Sequence, residues 1–579
     1  MKFSKVAHFF YQIEFVSGRL DKTVLLAELL SQATPQEASI ICYLSLGKLY
    51  PPYIGTQFQM AEKNLILTVA DLLGFDPRVI KESLKKLGDI GLVIGQSVWA
   101  SAADISIEDV YKKLQNLEKV SGTGAQEEKI KLLKELLLQT DSLSAKYILR
   151  IVLGKLRLGF SDMTIIDALS WMEVGSKALR KKIENSYNLC ADIGKIANTL
   201  KLRGIQSVEA ITIQVGIPIR PAAAERLPTA RAIVEKIGSC IAQPKLDGFR
   251  LQLHLKKENS ITTIKFFSRN LLDMTFMFPD IRQELEKLDV KELICEGEAI
   301  VYDSNTNSFL PFQETVKRKR KHNVENMATQ MPLQVFLFDL LYHDGKEYLA
   351  KTHQERRVAL ENLFKNSIDS SIKVVEEVFI QTPTQLEDYF IKNISSGLEG
   401  LVVKKQDSIY QPGKRNFNWI KLKRQEEGRL DDTLDCIILG YYKGKGKRAK
   451  FGIGAFLVGV YNKKNHTVET VAKIGTGLKD NEWVDLKKKC DAIMVSKKPD
   501  TVFCVKELFP DVWVVPELIC MIRADEITKS PTHTAAKTKN NLGYALRFPR
   551  FMGYRQDKSV EDATDNKEVE RLYKNQFEK

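Results

Sequence analysis

The chain has no Cys-x-x-Cys pair, no His-Glu-x-x-His run and no long apolar stretch. Its eight cysteines, at 42, 190, 240, 295, 436, 490, 504 and 520, are scattered. That argues against a zinc ribbon and a disulfide framework alike, and leaves buried, reduced thiols as the expectation. The seven histidines show no metal-ligand spacing and are expected on the surface or satisfied in the core. No apolar run reaches the roughly 18–20 residues that a spanning helix needs. Behind Met1–Lys5 no signal-peptide core follows, because His8, Gln12 and Glu14 interrupt it. Internal repeats and low-complexity linkers are absent. The expectation is a protein with no membrane partner, cytoplasmic and nucleoid-associated in a prokaryote or nuclear in a eukaryote.

What is present points to nucleic acid. A length of 579 residues exceeds one hydrophobic core and predicts roughly two to four domains. Hydrophobic content of 44% with 28% charged residues describes an ordinary folded chain, neither disordered nor membrane-embedded. The formal charge of +14 calls for an anionic partner, and nucleic acid is the usual one because each neutralised phosphate releases counterions.

The first third reads as helical. Ser142 is placed as the cap of a helix whose apolar face carries Leu143, Tyr147, Ile148, Ile151 and Val152, and a second helix starts near Ser161-Asp162. Between them Gly154-Lys155-Leu156-Arg157-Leu158-Gly159 forms a tight basic turn. Such a turn can offer backbone N–H groups, a helix N-terminus, Lys155 and Arg157 to a phosphate chain. Taken alone, the turn reads better as a helix hairpin with solvated cations.

Near Gly216–Pro221 the pattern changes, and strands dominate to about residue 425. Phe249, Leu251, Leu253 and Leu255 alternate with Arg250, Gln252, His254 and Lys256, which predicts a half-buried strand; a turn at Lys257–Ser260 leads to its hairpin partner over Ile261–Phe267. Short strands at Thr433–Tyr442, Ala455–Asn462 and Thr467–Lys473 predict a small barrel, followed by a charged helical C-terminus. The expected division is a helical domain over 1–215, an α+β domain over 216–425 and a barrel over 426–579.

The chemistry gathers around Lys245, in Gln243-Pro244-Lys245-Leu246-Asp247-Gly248-Phe249-Arg250. Farther on, Glu296-Gly297-Glu298 puts two carboxylates on one strand face, since side chains at i and i+2 point the same way. Glu399 opens a strand that also carries Lys404, and Trp419–Lys423 places Lys421 and Lys423 opposite Ile420 and Leu422. Arg269 stands where the hairpin's second strand ends. Any one of these is an ordinary exposed charge; together they suit a triphosphate and a hard metal ion. A lysine attacks only as the free amine, and nearby cations disfavour its ammonium form, so Lys404, Lys421 and Arg250 are expected to help deprotonate Lys245. The same cations would stabilise charge on phosphorus oxygens, and one or two carboxylates suit Mg²⁺.

In this order the segments resemble the motifs of the covalent nucleotidyltransferases: DNA ligases, RNA ligases and mRNA capping enzymes. Within that group, Gly154–Gly159, Lys473–Gly477, Ser530-Pro531 and Leu546–Phe551 with Arg555–Lys558 resemble segments of archaeal and eukaryotic replicative ATP-dependent DNA ligases. The likeness runs nearly the whole chain. It implies an all-α DNA-binding domain, an ATP-grasp-like adenylation domain and an OB-fold barrel. It further implies ATP and Mg²⁺ as cofactors, and nicked duplex DNA as partner of a monomer.

The roles implied are specific. Lys245 takes up AMP; Phe338 stacks on the base; Arg250 and Arg269 contact ribose and phosphate. Arg415, Lys421, Lys404 and Lys423 surround the phosphates, Glu298 and Glu399 hold the metal, and Lys155 and Arg157 meet DNA. Arg550 and Lys558 are expected near ATP only when the barrel closes, with Asp557 and Lys558 orienting the pyrophosphate. A sliding clamp, which the family often has, is left open as a partner; Gln12–Phe15 is too weak a match to claim one. Two departures stand out: Gln243 replaces the usual glutamate at the adenine amine, where its carbonyl can still accept, and Gly553 replaces a bulkier residue.

Three rivals lose on particular features. RNA ligases and GTP-using capping enzymes resemble only the later part of the chain, and an NAD-dependent ligase would carry a cysteine-rich zinc module. A catalytically dead DNA clamp would show a broken site, whereas every charged motif position is filled except that of Gln243. The Lys317–Lys321 run reads as a solvated or DNA-facing helix in preference to a nuclear signal. Gly440–Arg448 imitates a phosphate-binding loop with wrong spacing and is rejected.

Overall fold

Helices fill the chain from Phe3 to Glu209 and then give way to strands. The computed structural model describes residues 1–99, 105–303, 308–309, 332–365, 371–396, 398–423, 433–538 and 541–576. Lys317–Lys321 and the neighbouring Pro311–Glu314 lie outside them. By contacts the chain divides into two compact units, 1–68 with 99–424 and 69–98 with 425–579.

In the first unit, local capping starts the helices. Thr34 and Glu37 form a reciprocal capping box on Pro35–Ser45. Asp141, and not Ser142, caps Ser142–Val152 by accepting from the Ser144 N–H. That helix is also less one-sided than its spacing predicts: Lys146 and Arg150 are buried along with its apolar residues. Glu14, on Phe3–Phe15, is the reason. It receives Arg150 at 2.9 Å, Lys146 at 2.8 Å and the Tyr147 hydroxyl at 2.8 Å, so the charges are paired where they are buried.

The mixed α/β part of this unit contains two sheets. Its strands are β1 (Ala223–Arg226), β2 (Cys240–Lys245), β3 (Phe249–Glu258), β4 (Ile261–Ser268), β5 (Glu292–Asp303), β6 (Ser308–Phe309), β7 (Leu333–His343), β8 (Lys346–Glu347), β9 (Ile372–Val374), β10 (Val378–Ile380), β11 (Gly400–Lys405) and β12 (Arg415–Lys423). One sheet runs β1-β12-β11-β2-β10; the other runs β4-β3-β5-β7-β8, with β6 on β5 and β9 on β7. Behind the first, Ala242, Leu401, Val403, Ile420 and Leu422 pack with the helices Ala230–Ile237 and Pro383–Ser395.

The predicted β3–β4 hairpin forms, turning at Asn259 and Ser260 with positive φ. β3 is not half-buried as its alternation suggests. Gln252 and His254 are buried too, because residues 216–219 cover them: the Gly216 N–H donates to His254 Nδ1 at 3.0 Å, and Ile219 and Gln252 exchange hydrogen bonds of 2.7 and 3.0 Å. Arg220 then ties this stretch to the helical part. Its guanidinium lies 4.8 Å from the Tyr187 ring centre and 3.3 Å from Asp162.

In the second unit, Leu434–Tyr442, Ala455–Asn462 and Thr467–Ile474 form the predicted antiparallel series, and Ile519–Arg523 with Arg550–Tyr554 extends it. This OB-like half-barrel closes over Phe456, Val458, Val471 and Ile522. The helix Asp480–Ala492 fills it with Trp483, Leu486 and Cys490. The charged C-terminal helix is Asn566–Asn575. Arg448 donates to the Gly454 carbonyl at 2.7 Å. At Gly553 a Cβ would meet nothing within 4 Å, so a bulkier residue would fit there. All eight cysteines are free, seven buried and Cys504 half-buried.

Candidate active site

Strand register assembles the site. Lys245, Gly400 and Lys423 lie abreast on β2, β11 and β12; two residues along lie Gln243, Val402 and Lys421, and two further bring Ile241, Lys404 and Trp419 together. Alternation sends all of these to one face and leaves Ile420 and Leu422 to the core behind. Across from that face, β3, β5 and β7 align Arg250, Glu298 and Phe336, with Phe338 two residues on. The two sheets enclose a cavity of about 500 Å³ lined by Gln243, Lys245, Arg250, Arg269, Glu298, Phe338, Lys404, Lys421 and Lys423, among others. Arg415 is not in its wall; it stands exposed at the start of β12 and acts on Lys421 only through its charge.

Lys245 forms an ion pair with Glu399, and the same carboxylate pairs with Lys423. The two ammonium groups outweigh the burial that would raise Glu399 and hold its carboxyl below the usual range. The sequence predicted a cationic surround for Lys245; the group in contact with it is an anion. Arg250 is likewise committed, donating to Glu296 at 2.8 Å and to the Ala222 carbonyl at 2.7 Å. Its Nε remains buried without a partner, one N–H over for a ligand. Thus Glu296 and Glu298 share a strand face and yet serve different ends. Glu296 anchors Arg250 and accepts from the Tyr410 hydroxyl at 2.9 Å, while Glu298 faces the cavity.

Burial pushes Glu298 up to about 7, against the pull of Lys245 and Arg250 and the Gly248 N–H that donates to it at 3.2 Å. Burial brings Lys404 down to about 8; its ammonium donates to the Phe338 carbonyl at 2.8 Å and lies 3.7 Å from Asp339. It also sits 5.1 Å from the Phe338 ring centre and 4.5 Å from that of Trp419, which braces the aromatic wall. Asp339 is pinned in turn by Arg356 at 2.6 and 3.2 Å. Lys421 makes no ion pair with a described residue, and its pKa is lowered by burial and then by Lys423, Arg415, Lys245 and Arg269. One end of the cavity is therefore apolar and the other strongly cationic.

Three residues that sequence reasoning passed over support this wall. Glu377 accepts from the Gln243 amide at 2.9 Å and contacts His353 at 3.2 Å, and Tyr410 braces Glu296 and the Ala222 N–H. None carries a local signal, because each meets its partner across a long stretch of chain.

Away from the cavity, Lys155 is exposed and Arg157 half-buried with φ +65°. Leu156 and Leu158 turn inward at 4% and 3% exposure and so anchor the turn. In the second unit Lys558 and Arg555 both pair with Asp435, at 2.7 and 3.1 Å, and Arg550 pairs with Asp525. Among the described residues no helix is long and apolar enough to cross a membrane.

Comparison with known proteins agrees with this geometry. Residues 221–423 match the ATP dependent DNA ligase domain, 2–170 the DNA ligase N terminus and 449–558 the ATP dependent DNA ligase C terminal region. The chain is 42% identical to a probable DNA ligase of Dictyoglomus thermophilum and 36% identical to a DNA ligase of Sulfurisphaera tokodaii, in each case over 100% of this chain and 98% of the relative. A solved structure described as Pmar-Lig_PreS3 shares the fold at TM-score 0.57 and 16% identity, covering 95% of this chain and 99% of its own. A helical N-terminal part, a mixed α/β adenylation part and an OB-like half-barrel, each matched in order, make this chain a member of the ATP-dependent DNA ligase family, an enzyme that joins DNA using ATP.

Proposed function

We propose that the enzyme seals single-strand nicks in duplex DNA through a Lys245–AMP intermediate, in replication, repair and recombination. The observation that carries this reading is Lys245 itself, set in the cavity wall between the carboxylates Glu399 and Glu298 with Lys421, Lys423 and Arg269 beside it. As the free amine, Lys245 attacks the α-phosphorus of ATP; the N–P bond forms, the bond to the β-phosphate oxygen breaks, and pyrophosphate leaves. The nick's 5′-phosphate oxygen then displaces Lys245 from AMP, and the 3′-hydroxyl finally displaces AMP from that phosphate.

The carboxylates fit a magnesium ion. Mg²⁺ takes one or two carboxylates, keeps waters and uses substrate phosphates for the rest, so no all-protein cage is needed. Among the described residues none forms such a cage. Bound by Glu298 and Glu399, the ion would neutralise charge on the phosphates. Glu399, if engaged there, would leave Lys245 free of its ion pair. Phe338 offers the base a face, Gln243 an acceptor for its amine, and the unpartnered Arg250 Nε a donor to ribose. Arg269, Lys421, Lys423 and Lys404 in the wall, with Arg415 outside it, balance the phosphates.

Lys155 and Arg157 project to the DNA backbone from the turn that Leu156 and Leu158 anchor. Domains at 1–215, 216–425 and 426–579 clamp the duplex as one monomer. The barrel reorients so that Arg550 and Lys558 reach ATP only in the first step, leaving Asp525 and Asp435. The direct test is transfer of label from α-phosphate-labelled ATP to the protein, followed by a chase with nicked duplex. A covalent band that Lys245→Ala lacks and nicked DNA discharges supports the reading; labelling that survives in Lys245→Ala overturns the nucleophile.

A further inference from the structure

Gln243 lines the cavity yet is only 2% exposed, so its amide has little freedom. Its NH₂ donates to Glu377 Oε2 at 2.9 Å. Glu377 is outside the cavity wall and gathers donors from three directions: the Gln243 amide, His353 Nε2 at 3.2 Å and the Arg357 guanidinium at 3.6 Å. Those donors outweigh the burial that would raise Glu377 and keep its carboxyl low, so it stays ionised and can only accept. A flipped amide would set the Gln243 carbonyl against that carboxylate. His353 is held in the same way. Its Nδ1 is buried without a partner, and Nε2 must carry the proton to meet an acceptor-only neighbour.

We propose that Glu377, steadied by His353 and Arg357, locks the Gln243 amide with Oε1 toward the cavity, making Glu377 the positioning residue by which this ligase selects a 6-amino purine over a 6-oxo purine. The inference rests on the reading of the cavity as the ATP site. Its chemistry is simple. A glutamine is ambivalent, able to offer either an acceptor or a donor, and on its own it would greet the amine of adenine or the carbonyl of guanine by rotating. With NH₂ consumed by Glu377, only the acceptor is left. The wall around it carries Phe336, Phe338, Val375 and Val402, and the Lys404 ammonium on the same face is engaged by the Phe338 carbonyl at 2.8 Å and by Asp339 at 3.7 Å. A 6-oxo group placed there would face Oε1 lone pair to lone pair.

The test measures covalent labelling of the full-length protein by ATP and by GTP, each labelled at the α-phosphate, and reads the ratio of the two rates. E377Q can donate as well as accept, so it lets the Gln243 amide turn; the ATP:GTP ratio should fall about tenfold or more while labelling persists. Q243E sets two carboxylates against each other and should label poorly with either nucleotide. The paired exchange Q243E/E377Q restores one donor and one acceptor between the two positions and should recover both ATP labelling and discrimination.

An E377Q enzyme that labels well with an unchanged ratio overturns the proposal and leaves the ligase reading intact. Should E377Q label with neither nucleotide, the paired exchange decides: labelling above both single variants supports the lock, and none overturns it. A wild-type protein that labels with no nucleotide overturns the ATP-site reading and this proposal with it.

Discussion

Arg250 and Glu296 meet across neighbouring strands at 2.8 Å, with the Glu296 side chain 1% exposed and the Arg250 side chain 17%. The pair does more than balance charge. With Tyr410 on the carboxylate and Ala222 on the guanidinium, it joins the two sheets that enclose the cavity. Glu296→Ala strands a buried guanidinium and a hydroxyl together, and should cost about 3–5 kcal/mol in chemical denaturation. Tyr410→Phe removes two hydrogen bonds, the one given to Glu296 and the one accepted from the Ala222 N–H, and should cost about 1–3 kcal/mol. If Glu296→Ala unfolds within about 1 kcal/mol of wild type, well under the cost of breaking a buried pair, the pair does not hold the sheets.

Glu14 gives the helical part a defined acid sensitivity. Burial would raise its carboxyl, but Arg150, Lys146 and Tyr147 overcome that and hold it at about 2, well below its ordinary 4.5. A depressed carboxylate stabilises the fold fully above the unfolded value and loses that contribution as pH falls toward the folded one. Unfolding between pH 5 and 2 should therefore show a stability loss that Glu14→Gln flattens, with the variant less stable than wild type at pH 7. Parallel curves for the two proteins over that window would remove Glu14 from the account.

Glu298 works with the opposite sign. Raised to about 7, it keeps its proton in the folded chain where the unfolded chain has lost it, so stability falls as pH climbs from about 4.5 to about 7. Glu298→Gln should be more stable than wild type at pH 8, by up to about 3 kcal/mol, and equal to it at pH 4. Labelling from ATP should nevertheless be lost. Magnesium should raise the melting temperature of wild type at pH 8 and leave that of Glu298→Gln unmoved. A variant that gains no stability at pH 8 would show that Glu298 ionises without penalty.

The two faces of β12 were legible because alternation is local. Lys421 and Lys423 on one side, and Ile420 and Leu422 on the other, follow from a period of two. So did the same-face placement of Glu296 and Glu298. What each carboxylate does was not legible, since that depends on Arg250 and Tyr410 arriving from other strands. Gln252 and His254 read as solvent-facing because their partners are backbone groups of residues 216–219, which no side-chain pattern announces. The anionic contact of Lys245 was likewise hidden: Glu399 lies 154 residues away, and only sheet register sets Gly400 beside Lys245. Capping shows the same limit at short range, where Asp141 outcompetes its neighbour Ser142 by one position.

Gly248 is the position where the loop after Lys245 tolerates least. A turn needs flexibility, and Lys-x-Asp-Gly reads as one, but the constraint here is space. A Cβ at Gly248 would come within 2.3 Å of the Ala299 carbonyl oxygen and 3.0 Å of its carbon, both backbone atoms of β5 that cannot turn aside. Gly248→Ala must therefore push the loop off β5, and doing so lengthens the bond from the Gly248 N–H to Glu298, now 3.2 Å. Lys245 sits three residues before that shift, and a displacement of about 1 Å at a nucleophile can cost about a hundredfold in rate. The expected result is slow labelling from ATP with a melting temperature close to wild type, since the strain is confined to one loop. Sealing of a nick whose 5′-phosphate already carries AMP requires no attack by Lys245 and should suffer less. Equal losses in both assays would mean that the loop serves the final step as much as the first, and the damage would then be traced to Glu298.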